Sequence, residues 1–228
     1  MSTENTKLQT YKKESVNFEQ KNTHLFYLYM KRLIDIFGSL IGICITSIIM
    51  AFLFVFYIVG EHKGPMFYKQ KRIGKYGKKF YIYKFRSMIV NAEEKLVENE
   101  VLYKKYINNN FKLEQDDDPR ITKIGRFLRR TSLDEFPQFF NVLKGEMSLV
   151  GPRPTVEEEL KYYNEKIGDF LSVKPGVTGY WQASGRSNIG YPRRVDIELY
   201  YIYNQSLALD IKILFKTIIQ VVKRKGAY

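Results

Sequence analysis

The sequence predicts an α+β fold that is mostly helical and begins with a membrane-embedded helix. Three observations support this class. Residues 36–60 contain no charged side chain, and a run of roughly 25 uncharged residues is long enough to enter or cross a bilayer as a helix. Two short runs rich in Phe, Tyr and Ile flank a Gly-Lys-Tyr-Gly turn, which predicts a small β-hairpin. Several later segments show helical spacing of their apolar residues, the last of them amphipathic.

Length and composition narrow the classes of function. The chain has 228 residues, a formal net charge of +13 and a pI near 9.5. Such a basic surplus suits nucleic acid, an anionic membrane or phosphorylated substrates. The single cysteine, Cys44, excludes a disulfide framework within the chain and a Cys-rich zinc site. With only His24 and His62, a Ser-His-Asp triad is disfavoured and a His-based metal cluster is excluded.

The chain divides into three expected segments. Residues 1–28 form a polar N-terminal segment, residues 29–62 carry the membrane helix, and residues 63–228 form one domain at the membrane face. Within that domain, residues 66–70 and 79–85 are the predicted strands of the hairpin.

Basic residues lie on both sides of the apolar run, two just before it and seven within residues 63–79. Because cytoplasmic flanks are rich in Lys and Arg, both helix ends are expected on the same side of the membrane. A re-entrant helix satisfies this, and Gly42, Thr46 and Ser47 could supply its bend. The alternative is an ordinary span whose second flank is basic because it binds substrate.

Four further segments have helical patterns. Residues 91–111 predict a charged, solvent-facing helix, and residues 121–130 a short basic one. Residues 135–144 predict a helix that ends at Gly145 in the C-cap position. Residues 210–224 predict an amphipathic C-terminal helix at the membrane surface, for which packing against the domain is the alternative.

Two loop regions offer binding residues. Arg153 is held between Pro152 and Pro154, so it has little conformational freedom to lose on binding an anion. Glycine-rich loops flank Trp181 and Gln182 and include Arg186, and they could accept a nucleotide base or sugar or could be plain turns. The glycine spacing matches neither a Walker A loop nor a Rossmann fingerprint.

The most informative block runs from Arg129 to Gln138. Ser132 and Glu135 fit the S-x-x-E capping box, which predicts a helix start with Ser132 as N-cap. Asp134 would then lie near the positive end of the helix dipole, which favours its anionic form. Such a carboxylate can attack phosphorus or hold a metal ion, and nearby arginines can bind phosphate oxygens. Taken alone, the pattern is more often only a helix cap.

Several blocks together resemble the bacterial sugar transferases, the monotopic phosphoglycosyl transferases that begin exopolysaccharide, capsule and glycoconjugate synthesis. The resemblance runs from about residue 29 to the C-terminus. The matching pieces are Lys31-Arg32-Leu33-Ile34-Asp35, Gly64-Pro65-Met66-Phe67, Tyr83-Lys84-Phe85-Arg86-Ser87-Met88, Asp118-Pro119-Arg120-Ile121-Thr122, the block from Ser132 to Gln138, and the run from Asn141 to Pro154.

This resemblance implies transfer of sugar-1-phosphate from a UDP-sugar to undecaprenyl phosphate with release of UMP. Asp134 would be the nucleophile and form a phosphosugar-aspartyl intermediate, with Mg²⁺ bridging Asp134 and the diphosphate. Glu135 would assist by positioning or by proton transfer. The implied phosphate-binding residues are Arg129, Arg153, Lys84 and Arg86.

The resemblance also sets the expected partners and location. UDP-glucose or UDP-galactose is the expected donor, membrane lipids surround the helix, nucleic acid is not a partner, and homo-oligomer formation stays open. The domain is expected on the cytoplasmic face of the bacterial inner membrane, in the short family form without a preceding membrane domain. One departure is Ser47-Ile48, where the family commonly has Ser-Pro at the bend. Without proline no helical hydrogen bond is lost, so the bend is weaker.

Two rival functions come from other classes. A membrane-anchored protein could bind nucleic acid or an acidic polymer through the lysine-rich residues 69–84, although a basic patch alone is only an electrostatic footprint. An inactive scaffold could keep the motifs and recruit glycosyltransferases. Salt-sensitive nucleic-acid binding that survives Asp134→Asn would indicate the first, and absence of UMP release with every donor would indicate the second.

Overall fold

A computed structural model of the chain describes residues 25–108, 113, 118–184 and 189–222. The first element is helix α1 (Leu25–Ile58), whose 34 residues correspond to about 51 Å at 1.5 Å per residue. By length and composition this helix could cross a membrane, with a mean hydropathy of 2.6 in its most apolar stretch. It begins four residues before the predicted membrane segment.

Helix α1 packs against the rest of the protein from one end to the other. Its buried positions follow one face of the helix: Tyr27, Asp35, Ser39, Gly42, Thr46, Leu53 and Tyr57. Near the N-terminal end, the Lys31 Nζ lies 2.7 Å from an Asp210 carboxylate oxygen. Near the C-terminal end, the Tyr57 hydroxyl donates to the Arg86 carbonyl at 2.6 Å. Both ends of the helix therefore contact the same domain.

The other faces of α1 are covered with exposed apolar side chains, and the largest exposed fractions belong to Leu25, Phe26, Tyr29, Phe37, Ile41, Ile48, Phe52 and Val55. The helix is continuous through the predicted bend. There, the Thr46 and Ser47 hydroxyls donate to the carbonyls of Gly42 and Ile43, at 2.7 and 3.0 Å.

The predicted hairpin is present. Strands β1 (Phe67–Ile73) and β2 (Lys79–Phe85) pair antiparallel, so β1 extends three residues beyond the predicted strand. Tyr68 lies opposite Lys84 in the register. Opposite residues share a face of the sheet, as do alternate residues of one strand. Tyr68, Arg72 and Lys84 therefore lie on the same face of the hairpin.

One helix was predicted over residues 91–111, and the described part of this range forms two, namely α2 (Ala92–Glu98) and α3 (Glu100–Asn108). Residues 109–111 lie outside the described residues. The break falls at Asn99, which has extended backbone and whose side-chain oxygen accepts the Leu102 N–H at 3.0 Å. Most described side chains of the pair are exposed, as predicted. A local hydrogen bond of this kind competes with helix continuation, so the asparagine ends one helix and begins the next.

Two short helices follow and frame the centre of the domain. Helix α4 (Lys123–Arg130) begins at Thr122, whose hydroxyl accepts the Gly125 N–H at 3.0 Å. Helix α5 (Gln138–Lys144) ends at Gly145, which has φ 81° as the predicted C-cap. Helix α5 also packs on α1, where a Cβ added to Gly42 would lie 2.3 Å from the Phe139 ring. Only glycine permits this approach.

The C-terminal half adds elements that the sequence did not predict. Strands β3 (Ser148–Val150) and β4 (Gly176–Thr178) form a parallel pair. Between them lie a 3₁₀ segment (Glu157–Lys166) and then α6 (Ile167–Leu171). The remaining helices are α7 (Tyr180–Ser184), α8 (Arg193–Tyr203) and α9 (Leu207–Val222).

Helix α9 packs against the domain, which was the alternative considered for the C-terminal segment, and its location at a membrane surface stays a prediction. Ile213 is buried in the main core, and the helix contacts α1 and the parallel sheet. Its outer side exposes Ile211, Phe215, Ile218 and Ile219. The helix is therefore packed on the domain and also presents an apolar outer surface.

Candidate active site

The acidic pair lies in a 3₁₀ turn, Leu133–Glu135, between α4 and α5. Ser132 precedes this turn with φ 57°, and its side chain makes no capping hydrogen bond. The predicted capping box is therefore absent, and the next helix begins at Gln138 instead of Glu135. Pro137 explains the delay, because it supplies no N–H for a regular helical turn.

A small apolar cluster holds the turn in place. It consists of Leu53, Tyr57, Phe85 and Leu128, with Leu133 and Phe136 packed against it. Asp134 lies between these two packed residues and is buried, with 9% of its surface exposed. The neighbouring Glu135 side chain is 41% exposed. The same turn thus presents one buried carboxylate and one that solvent can reach.

Burial affects the charge of Asp134, whereas Glu135 is paired with a lysine. Burial raises the pKa of Asp134 to about 6, with Lys84 and Arg129 acting in the lowering direction and Glu135 in the raising direction. Lys84 donates to a Glu135 oxygen at 2.7 Å. Asp134 is therefore an anion near neutral pH that is poorly solvated and more basic than a surface aspartate.

Arg129 lies in the last turn of α4, and its Nε donates to the Ser87 hydroxyl at 2.8 Å. The helix approaches Ser87 closely, since a Cβ at Gly125 would lie 1.8 Å from the Ser87 carbonyl oxygen. Burial lowers the pKa of Arg129, while the charge of Asp134 acts to raise it. The structure thus brings Arg129 within electrostatic reach of the acidic pair, and phosphate binding by Arg129 stays a prediction.

Arg153 lies in the loop at residues 151–154, directly after β3. Its backbone N–H donates to a Glu198 oxygen at 3.3 Å, and its guanidinium lies 5.9 Å from the Trp181 ring. Among the described residues, this guanidinium has no hydrogen bond or ion pair. Such an arginine is able to bind an anion from outside the chain.

Sequence reasoning missed Arg72. Its side chain is buried on the hairpin face that carries Lys84, and it lies within electrostatic reach of Arg153 and Glu135. Its Nη1 donates to the Pro154 carbonyl at 3.2 Å and its Nη2 to the Gln70 side chain at 2.6 Å. The alternation of side chains along β1 could have identified it. Arg72 is four residues from Tyr68, so it lies on the same face of the strand as Tyr68 and Lys84.

Arg86 is held by its own loop. Its guanidinium donates to the backbone carbonyls of Pro65, Met88 and His62. All three of its nitrogens are thereby engaged with the backbone. This arrangement fixes the segment that follows β2, and phosphate binding by Arg86 stays a prediction.

The predicted base- or sugar-binding residues lie beside the Arg153 loop. Trp181 is buried, its Nε1 donates to the Ile189 carbonyl at 3.0 Å, and it contacts the guanidinium of Arg194 at 4.5 Å. Because arginines lie against it and little of it is exposed, it supports the loop more readily than it would stack a base. Gln182 is half-buried, and Arg186 lies outside the described residues.

The residues present fit Mg²⁺ bound mainly through a substrate. Within the described ranges no group of three or more His, Cys, Asp or Glu side chains could hold a metal ion. Mg²⁺ usually takes one or two carboxylates together with phosphate oxygens and waters. Asp134 can supply one carboxylate oxygen to such an ion.

The chain is similar to known proteins over most of its length. The family described as bacterial sugar transferase matches residues 26–224. The chain is 47% identical over 203 residues to the undecaprenyl-phosphate galactose phosphotransferase of Salmonella typhimurium, covering 88% of this chain and 42% of that protein. It is 43% identical over 223 residues to the galactosyl transferase CpsE of Streptococcus agalactiae, covering 97% and 49%. It is 39% identical over 203 residues to the exopolysaccharide production protein ExoY of Rhizobium meliloti, covering 87% and 88%.

The chain spans less than half of the length of the first two relatives and most of the third. The family match includes the hairpin, the acidic turn and the Arg153 loop. On this evidence the chain belongs to the bacterial sugar transferase family.

Proposed function

We propose that the protein transfers sugar-1-phosphate from a UDP-sugar to undecaprenyl phosphate and releases UMP, as the first step of exopolysaccharide or capsule synthesis. The printed name of the Salmonella relative supplies the acceptor and the phosphotransfer. The observation that carries the proposal is Asp134, a buried carboxylate with a raised pKa beside Lys84 and Arg129. A carboxylate among cations is suited to attack a phosphorus atom whose oxygens those cations bind.

The chemistry consists of two displacements at one phosphorus. An Asp134 oxygen attacks the β-phosphorus of the donor, and the bond to the oxygen bridging the α-phosphate breaks, so that UMP leaves with that oxygen. A phosphosugar-aspartyl ester remains. An oxygen of undecaprenyl phosphate then attacks the same phosphorus, and the Asp134 carboxylate leaves. Both steps need cations and positioning more than they need a strong base.

The surrounding side chains take distinct roles. Lys84 holds Glu135 at 2.7 Å, so Glu135 is oriented beside the reacting carboxylate and can assist by positioning or by proton transfer. Arg129 and Arg153 offset the negative charge of the phosphoryl group. Asp134 would hold Mg²⁺ together with the donor diphosphate, and the ion would offset negative charge as UMP leaves.

The packing of α1 supports a re-entrant arrangement at the cytoplasmic face. In a spanning helix the two ends lie on opposite sides of the hydrocarbon core, which is roughly 30 Å thick, and the core separates one end from a domain bound at the other. Here Lys31 and Tyr57, at opposite ends, both bind the same domain. We therefore place the exposed apolar faces of α1 and α9 in the lipid, with the site facing the water boundary where a soluble donor meets a lipid phosphate. The basic charge of the chain suits anionic headgroups.

UDP-galactose is the first choice of donor and UDP-glucose the second. Galactose occurs in the printed name of the Salmonella relative, and the Streptococcus relative is named a galactosyl transferase.

UMP release tests the proposal. The full chain in detergent, with Mg²⁺ and undecaprenyl phosphate, is assayed against UDP-galactose, UDP-glucose and their N-acetylated counterparts. Release with one donor, dependent on the lipid and lost in Asp134→Asn, is expected. The matched control is Glu157→Gln, which changes another carboxylate to an amide in a pair with Lys79 on the outer hairpin edge. Wild-type turnover in Asp134→Asn would refute the mechanism, and salt-sensitive nucleic-acid binding without UMP release would favour the binding-protein rival.

A further inference from the structure

The loop that carries Arg153 is fixed from three sides. The Gly151 N–H donates to the Thr178 carbonyl at 2.9 Å, which ties the loop to β4. The Arg153 N–H donates to Glu198 of α8 at 3.3 Å. The Pro154 carbonyl accepts from Arg72 of β1 at 3.2 Å. Beside this bond, the Ile73 N–H of β1 donates to the Thr155 carbonyl at 3.0 Å. Arg72 therefore supplies the side-chain contact between the hairpin and the Arg153 loop, next to one backbone bridge.

The charge of Arg72 is poorly compensated where it lies. Its side chain is 8% exposed, and the nearest carboxylate oxygen, on Glu159, is 4.0 Å away. Its Nε is buried and has no hydrogen-bond partner among the described residues. Burial and, to a smaller extent, the neighbouring charge of Arg153 lower the pKa of Arg72 to about 10. The guanidinium groups of Arg72 and Arg153 therefore lie in the same part of the site, with little negative charge to compensate them.

Arg194 shows how this chain treats a buried arginine that serves the fold. Its side chain is 4% exposed, its Nε lies 3.1 Å from a Glu198 oxygen, and its guanidinium lies over the rings of Trp181 and Tyr191. Arg72 lacks a carboxylate at that distance. A buried cation left without a close partner destabilises the fold, and such arrangements occur where an incoming anion completes the pairing.

We propose that Arg72 is a positioning residue for the donor diphosphate, acting through Arg153. Its hydrogen bond fixes the Pro154 carbonyl, and its positive charge keeps the Arg153 guanidinium turned away from the hairpin and toward a bound phosphate. The inference rests on the proposed function, because it takes the donor diphosphate as the anion that compensates these two positive charges. Arg72 need not touch the substrate, since its own nitrogens are buried or bonded within the chain.

Equilibrium binding of UDP tests the proposal without turnover. UDP carries no sugar to transfer, so the full-length wild-type protein in detergent with Mg²⁺ serves as the parent. It is titrated with UDP by calorimetry, alone and with Arg72→Met, Arg153→Met or both. Removing a hydrogen bond to a charged group corresponds to about a 10- to 100-fold loss of affinity, and that loss is expected for Arg72→Met. When Arg153 is already replaced by Met, Arg72→Met should change the Kd for UDP less than about threefold, because Arg72 acts on UDP only by positioning Arg153.

Lys71→Met is the matched control. It removes the adjacent positive charge from the exposed, opposite face of the same strand, and UDP affinity should stay within about threefold. The Tm of Arg72→Met should equal or exceed that of its parent, whereas a purely structural arginine would lower it. If Arg72→Met does not fold, Arg72→Lys replaces it, with a smaller loss of affinity expected.

Three results would overturn the inference. The first is that Arg72→Met leaves the UDP affinity unchanged, and the second is that it lowers the affinity equally whether residue 153 is Arg or Met. The third is that Arg72→Met lowers the UDP affinity and the Tm together. Absence of UDP binding to the parent would instead refute the proposed function itself. The two failures are therefore distinguishable.

Discussion

Replacing Asp134 by Asn should stabilise the fold while abolishing turnover. The folded-state pKa of Asp134 is about 6 and its ordinary value is 3.8, so at about 1.4 kcal/mol per unit the charged form destabilises the folded protein by about 3 kcal/mol. Asparagine has nearly the same shape and carries no charge, so it removes this term. At about 2–4 °C per kcal/mol for a chain of this size, the Tm should rise by about 6–12 °C.

The pH dependence of this difference has a definite sign. Because the pKa of Asp134 is higher in the folded state than in the unfolded state, proton binding favours folding. The destabilisation is therefore fully present above about pH 6 and disappears as the pH falls toward 4. The Tm gap between Asp134→Asn and wild type should be large at pH 7.5 and small at pH 4.5.

Thermal unfolding of the full chain in detergent and EDTA, followed by circular dichroism at both pH values, measures this gap. Glu135→Gln is the control, because it changes the partly exposed neighbour that Lys84 already pairs, and it should not raise the Tm. A Tm of Asp134→Asn at pH 7.5 equal to or below that of wild type would refute the reasoning. It would mean that Lys84 and Arg129 compensate the buried charge fully.

Three further predictions concern the phosphate loop, the packing of α1 and its topology. Arg153→Ala should raise the KM for the UDP-sugar by about 10-fold or more while leaving the Tm nearly unchanged, because its guanidinium has no bond within the described chain; a collapse of the Tm would make it structural. Gly42→Leu should destabilise by about 1–3 kcal/mol in thermal unfolding, since its Cβ would meet Phe139 at 2.3 Å, whereas Ser47→Leu on the exposed face should not. In a Cys44→Ser background, cysteines at positions 23 and 78 should both be shielded from periplasmic thiol reagents, and labelling of one from outside would establish a spanning helix.

The fold was predictable where one local rule decides the conformation. The uncharged run gave α1, the Gly-Lys-Tyr-Gly turn gave the hairpin, and Gly145 ends α5 with a positive φ as a C-cap glycine does. The parallel pair β3–β4 was missed because three-residue strands have no usable period. They form only because distant segments pack together in the core.

The acidic turn shows why a candidate site residue can be buried as its role requires although its local conformation was predicted wrongly. Ser132 fits the capping pattern, yet it adopts a left-handed backbone, and Asp134 is buried by packing of its neighbours against α1 and α4. A helix dipole therefore does not explain its chemistry. Its raised pKa follows from burial, which depends on tertiary contacts that the local sequence does not contain.

Arg72 was missed for a related reason. It stands among lysines in a strand that reads as a solvated basic face, and only the strand register separates it from its exposed neighbours Lys71 and Lys69. Trp181 is the converse case, since an aromatic residue between glycine-rich loops suggested a ligand contact. The structure instead places it between Arg153 and Arg194.

Detection of the covalent intermediate tests the central claim most directly. The full chain is mixed with Mg²⁺ and UDP-galactose or UDP-glucose without undecaprenyl phosphate, quenched in acid, and digested for mass spectrometry. The account predicts a burst of at most one UMP per chain and a mass increase of one sugar phosphate on the peptide that contains Asp134, chased by added undecaprenyl phosphate. UMP release that requires both substrates together, with no adduct on Asp134, would contradict it.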